Sequence, residues 1–245
     1  MTPTMGRRLT AEAVGTALLV AVVVGSGILA ERLAPGDAGF QLLANSLATA
    51  GGLIALILAF GPVSGAHFNP VVSLADRAFG GMTTGEALAY TTAQIGGAAI
   101  GAMVANVMFD LAPITLSDHS RSSGGLWLGE VVATFGLLSI ILGITRSGRA
   151  QAAPFAVAGY IAAAYWFTSS TSLANPAGTL GRTLSDTFAG IAWTSAPAFI
   201  AAQLAGGLAA IALARFLHPA PASGRDLVQV ATRAPRRSAG SDPER

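Results

Sequence analysis

Long apolar runs set the rhythm of this chain. They fall at about 9–30, 39–60, 84–108, 125–145, 152–168 and 194–217. About 20 apolar residues in a helix cross the ~30 Å hydrocarbon core of a bilayer, so the pattern predicts six membrane-spanning helices. Two stretches interrupt it. Residues 61–83 and 169–193 are moderately apolar, rich in Gly, Ser and Pro, and too short to span alone. Residues 31–38 and 109–124 read as polar loops. Residues 218–245 hold Pro, Ser, Gly and Arg without periodicity and are expected to form a flexible tail. The predicted organisation is therefore one membrane domain over 1–217 followed by the tail 218–245.

Composition strengthens this picture. The chain is 52% hydrophobic and 11% charged, against about 25% charged residues in a soluble domain. That leaves too little polar surface to coat a soluble particle. All 14 basic residues are Arg. The pI near 9.7 does not signal nucleic acid, because the Arg residues sit at helix ends and in the tail, where they set topology. Arg7, Arg8, Arg77, Arg146, Arg149 and six Arg from position 215 onward fall on one side; Arg32, Arg121 and Arg182 fall on the other. The positive-inside rule then places both termini in the cytoplasm. A cleaved signal peptide is the competing reading of the N-terminus, but the run after Arg8 is over-long for one and contains Glu12. With no Cys, disulfide and thiolate chemistry are excluded, and the scattered His67, His119 and His218 suggest no metal cluster. No cofactor is expected.

The chain also repeats itself. Ala11-Glu12-Ala13-Val14-Gly15-Thr16 returns as Gly129-Glu130-Val131-Val132-Ala133-Thr134. Asn69-Pro70-Val71 returns as Asn175-Pro176-Ala177, and Ala93-Gln94-Ile95-Gly96-Gly97 as Ala202-Gln203-Leu204-Ala205-Gly206-Gly207. The offsets are 118, 106 and 109 residues, in the same order each time. Such matching indicates duplication, with repeats at about 8–108 and 125–217. Three spans per repeat is an odd number, so the halves have opposite orientations in the membrane. Inverted repeats place their interrupted segments near the midplane, where they form the solute site.

Asn is a favoured helix N-cap and Pro a favoured first helical residue, so each Asn-Pro pair starts a helix. Spans of roughly 69–79 and 175–185 give about 15 Å each, half the bilayer core. Irregular backbone leading into them is tolerated at that depth only inside protein or along a wet cavity. Two such helices meeting at their N-termini, each carrying roughly +0.5 charge, repel cations and hydronium. The Asn amides remain free to donate to a passing oxygen.

The segment Ser64-Gly65-Ala66-His67-Phe68-Asn69-Pro70-Val71 resembles the first signature loop of the aquaporin (major intrinsic protein) family, and Asn175-Pro176-Ala177 resembles the second. The paired Glu12 and Glu130 and the Gln94 and Gln203 helices match the family pattern over about residues 8–217. The resemblance implies an all-α integral membrane fold: six transmembrane helices, two re-entrant half-helices and an inverted three-helix repeat. It implies a passive channel with the electrostatic barrier described for aquaporin-type pores, a homotetramer with one pore per subunit, and membrane lipid and small neutral solutes as the only partners. Glu12 and Glu130 would hold the signature loops by accepting hydrogen bonds; the bland alternative is a helix-end residue among headgroups. His67 either lies near the cytoplasmic pore mouth or simply packs in the loop.

The filter departs from water-selective relatives. There an Arg follows the second Asn-Pro-Ala; here that position is Gly178, and Arg182 follows one helical turn later. Arg182 either reaches back into the space beside Gly178 or sits in the outer vestibule. Counting back from the signature Asn residues places the other filter positions at Thr49, Ala163 and Ser172, with Tyr165 replacing Ala163 if the approach to the loop holds an indel. Small residues there predict a wider, moderately polar constriction. The pattern looks like a bacterial branch linked to metalloid movement, implying passage of water, glycerol-like polyols and arsenite or antimonite hydroxides. The alternatives are a strictly water-selective channel and an ion-coupled secondary transporter using Glu12 or Glu130. No nucleophile–base pair suggests an enzyme.

Overall fold

The computed structural model describes residues 3–217, so the expected tail at 218–245 lies outside the described residues. Eight α-helices appear among the described residues: α1 (Met5–Leu33), α2 (Ala38–Ser64), α3 (Pro70–Ala78), α4 (Thr84–Met108), α5 (Gly124–Arg146), α6 (Ala153–Phe167), α7 (Pro176–Arg182) and α8 (Ala196–Leu217). Their ends follow local chemistry. The Asp37 side chain caps α2 by accepting from Phe40 N at 2.9 Å. Thr83 and Glu86 form a capping box at α4, and Ser123 caps α5. Gly65 closes α2 at φ 94°, a left-handed conformation that suits a residue without Cβ.

Five helices, α1, α2, α4, α5 and α8, are long and apolar enough to cross a membrane. The sixth expected span, α6, has only 15 residues. A 3-10 turn at Ala150–Ala152 precedes it. Together they reach roughly 28 Å at 1.5 Å and 2.0 Å per residue, close to the bilayer core. Exposed Leu18, Leu47, Leu88, Leu128, Leu208 and Phe216 face outward, while Glu12, Gln94, Asn106, Glu130 and Gln203 are fully buried. Polar groups inside and large apolar groups outside is the arrangement that lipid demands.

The two halves pack alike. The α1–α4 and α5–α8 pairs are among the most intimate crossings, and α2 lies against α1 and α6. Glycine permits the closeness. A Cβ at Gly97 would sit 2.2 Å from the Ala13 carbonyl oxygen, and one at Gly206 would sit 2.3 Å from that of Val131. Small residues let membrane helices approach to backbone contact. The half-helices α3 and α7 touch each other and wedge between α4 and α8, so each is gripped by both repeats.

Gly97→Leu is expected to lower the melting temperature of the detergent-solubilised protein by several degrees, since overpacking costs about 1–3 kcal/mol. Gly96→Leu, at an exposed neighbour with open space around it, should melt near wild type. Thermal denaturation of the pair checks this.

Candidate functional site

The chain between α2 and α3 turns at two strained residues, Ala66 (φ 50°) and Phe68 (φ 49°). The chain before α7 repeats the device at Ser172 (φ 52°) and Ala174 (φ 46°), with Thr171 (φ 58°) beside them. Each such residue costs about 1–2 kcal/mol. A buried carboxylate holds each loop in place. Glu12 Oε1 accepts from Ser64 Oγ at 2.6 Å and His67 N at 2.9 Å. Its Oε2 accepts from Phe68 N at 2.7 Å and Gln94 Nε2 at 2.8 Å. Glu130 accepts from Leu173 N at 2.8 Å, Ala174 N at 2.9 Å and Gln203 Nε2 at 2.6 Å. Hydrogen bonds to a charged group contribute about 1.5–3 kcal/mol each, enough to offset the loop strain. Both carboxylates are spent on the loops, so neither offers a coupling-ion site.

Asn69 and Asn175 cap the half-helices. Asn69 Oδ1 accepts from Val71 N at 3.0 Å. Asn175 Oδ1 accepts from Ala177 N at 3.0 Å and Gly178 N at 3.1 Å. Each amide also crosses to the other loop: Asn69 Nδ2 donates to the Ala174 carbonyl and Asn175 Nδ2 to the Phe68 carbonyl, both at 2.8 Å. Each NH2 group keeps a second N–H. Pro70 and Pro176 occupy the first helical turns, while Val71 and Ala177 are completely buried against neighbouring helices.

The half-helices are shorter than their expected spans. Gly80 (φ 82°) follows the end of α3, and α7 stops at Arg182. Beyond it the chain pairs with the long loop instead: Ser117 N donates to the Thr183 carbonyl and Thr115 N to that of Leu184.

A cavity of about 130 Å³ runs past both Asn residues. At one end stand Thr49, Tyr165, Ser172, Gly178 and Arg182; toward the other lie His67, Thr145 and Ala153. The walls between are apolar, with Leu53, Leu137, Val157 and Ile161. Ala163 does not belong to this lining. It lies on the exposed face of α6, and Tyr165 occupies the pore instead, its hydroxyl 3.2 Å from Thr49 Oγ1. Counting back holds only if the number of residues between α6 and the second Asn-Pro is the same as in relatives, and here the alternative position, Tyr165, faces the cavity. Arg182 is buried, lines the cavity, and donates from Nε to the Ala189 carbonyl. His67 Nδ1 lies 3.0 Å from Ser73 Oγ, with Nε2 unpartnered.

Two features escaped sequence reading. Arg121, in the loop before α5, donates from Nη1 to the Ser170 carbonyl at 3.4 Å and Thr171 Oγ1 at 3.3 Å; no periodicity marks it. Asp118, His119 and Asp186 converge within 4.8 Å on an exposed surface, although the three His are scattered in sequence.

Two capped half-helices back to back, each loop tied to a buried Glu, along one cavity, define a pore rather than a reaction centre. The sequence profile of the major intrinsic protein family matches residues 1–184. The chain belongs to that family. The channel is 49% identical to the aquaglyceroporin AqpS of Rhizobium meliloti over 86% of this chain and 90% of that protein. It is 30% identical to the probable aquaporin AqpM of Archaeoglobus fulgidus, covering 89% and 99% of the two chains. The crystal structure of the aquaglyceroporin from Plasmodium falciparum superposes with a TM-score of 0.67 at 19% identity over 88% of this chain and 98% of the other, a likeness of fold. The chain is thus a multi-pass membrane protein and a passive channel for water and small neutral solutes, not an enzyme.

Glu12→Ala is expected to leave four buried donors unsatisfied at about 1–3 kcal/mol each. The variant should reach the membrane in much reduced yield or melt far below wild type. Yield and melting temperature after mild solubilisation measure this, and a wild-type melting curve would remove Glu12 from the scaffold.

Proposed function

We propose that the channel is of the aquaglyceroporin type, passing water, glycerol-sized polyols and neutral metalloid hydroxides such as those of arsenite and antimonite. The observation that carries this reading is the filter end of the cavity. Gly178 presents no side chain beyond its backbone, and Arg182, one turn on, is tethered by Nε to the Ala189 carbonyl. Thr49, Tyr165 and Ser172 supply hydroxyls for a solute's own hydroxyl groups. A site that satisfies several hydroxyls on an otherwise apolar path suits a polyol, because polar groups left unpaired in such a path are heavily penalised. The 49% identity to a protein named as an aquaglyceroporin points the same way.

In this reading Asn69 and Asn175 use their remaining amide N–H groups to take a passing oxygen at the midplane. The half-helix N-termini raise the energy of any cation there. Glu12 and Glu130 position the loops, and His67 offers its unpartnered Nε2 on the other side of the Asn pair. The channel works as a homotetramer in the cell membrane with both termini cytoplasmic. The topology is supported by the arginine distribution, and the assembly by the family resemblance.

Proteoliposomes should show water and glycerol flux without proton conductance. Water flux with neither glycerol nor arsenite uptake would overturn the reading in favour of a water channel. Gly178→Arg should lower the glycerol-to-water flux ratio at least tenfold, because the new side chain fills the space beside Asn175. Tyr165→Ala should shift the ratio the opposite way. Stopped-flow light scattering reads both.

A further inference from the structure

Two guanidinium groups lie near one end of the pore without a carboxylate of their own: Arg182 lines the cavity, and Arg121 is bonded to Ser170 and Thr171, next to the cavity-lining Ser172. Arg182 is 6% exposed and lines the cavity beside Ser172. Its Nε is tied to the Ala189 carbonyl, and among the described residues its two terminal nitrogens have no hydrogen-bond partner and no ion pair. Arg121 approaches from the loop before α5. Its Nη1 makes only two long contacts, to the Ser170 carbonyl and Thr171 Oγ1, at 3.4 and 3.3 Å, and it too has no ion pair among the described residues. Burial, and then the repulsion of Arg182, push the Arg121 guanidinium down to about 10, so the two groups feel one another. The carboxylate that acts on Arg121 is Glu130, and its oxygens are already taken by Leu173 N, Ala174 N and Gln203. The Ser172 hydroxyl, 3% exposed on the same cavity wall, also has no partner.

Forked guanidinium donors with a spare hydroxyl match the oxygens of a small oxyanion better than any neutral solute. The path beyond is lined by Leu53, Leu137, Val157 and Ile161, where an anion would lose its hydration without replacement. An anion can therefore seat at the mouth and not pass.

We propose that Arg121 and Arg182, with Ser172, form a small-oxyanion site at the mouth of the pore, and that an oxyanion bound there competes with neutral solute for entry. The competition rests on the channel reading above; the binding does not.

The experiment uses the full chain in liposomes, with glycerol flux followed at constant ionic strength and osmolarity. Inorganic phosphate or nitrate replaces chloride on both sides of the membrane. The expected result is saturable inhibition by phosphate or nitrate relative to chloride. Arg121→Gln and Arg182→Gln should each raise the half-inhibiting concentration at least tenfold, Arg121→Lys should restore part of the block, and Arg32→Gln should leave it intact. Each is read as a ratio to that variant's own flux in chloride, which also reports folding. Equal flux in all three anions, or a block undiminished in both Gln variants, overturns the proposal. If glycerol flux is absent even in chloride, the channel reading fails separately. Calorimetric titration of phosphate and nitrate into solubilised wild type and Arg121→Gln then decides the site: saturable heat lost in the variant supports it, and no heat in wild type sinks it.

Discussion

Each half of this channel depends on a carboxylate buried where a strained loop becomes a half-helix. A loop at membrane depth has no water to satisfy its N–H groups, and residues in left-handed conformations do not stay there unaided. Glu12 and Glu130 answer both problems at once, gathering the N–H groups of His67 and Phe68, and of Leu173 and Ala174. The buried Gln94 and Gln203 complete each cage from α4 and α8. Everything that makes the pore follows from these cages: the placement of Asn69 and Asn175, the crossed amide bonds between loops, and the meeting of α3 and α7. An ionisable group inside a membrane usually signals transport chemistry. Here both are structural, because their oxygens are occupied by the protein itself.

The duplication is faithful in the scaffold and broken at the ends of the cavity. The glutamates, the glutamines and the asparagine caps all have counterparts at matching offsets, as does one close glycine crossing, Gly97 and Gly206. The two ends of the cavity are not mirror images. Tyr165 and Arg182 line one end of the cavity, whereas the other holds His67, Thr145 and Ala153. A scaffold must satisfy the same backbone groups in both halves, so its residues are constrained twice. The cavity ends carry no such double constraint and are free to differ.

Charge is arranged with the same economy. Positive potential comes from the half-helix N-termini at the centre and from Arg182 at one end of the cavity, with Arg121 near it. Between them the walls are apolar. Such a path rejects cations by repulsion and anions by desolvation, leaving uncharged molecules as the species that cross. Arg182 lies one turn beyond Gly178 and lines the same cavity, so the charge stands there while Gly178 adds no side chain beside Asn175.

The amino-acid sequence by itself determined the helices, the duplication and the half-helix starts, because these rest on local rules: apolar runs long enough to span, Asn-Pro as cap and first turn, and repeated motifs in register. Glu12, Glu130, Asn69 and Asn175 were legible for the same reason, each belonging to a motif that occurs twice. Tertiary structure decided the rest. Counting along the chain gave Ala163, with Tyr165 as the alternative, and only the packing of α6 decided between them, turning Ala163 to the outside and Tyr165 into the pore. The half-helix lengths were overestimated because pairing of Thr183 and Leu184 with the long loop draws the chain out of α7. Arg121 entered the topology count, but nothing in the sequence marked its place beside the second loop, since its partners Ser170 and Thr171 lie about fifty residues away. A helix start is written in adjacent residues, whereas which side chains face a shared cavity depends on how separate helices are turned against one another.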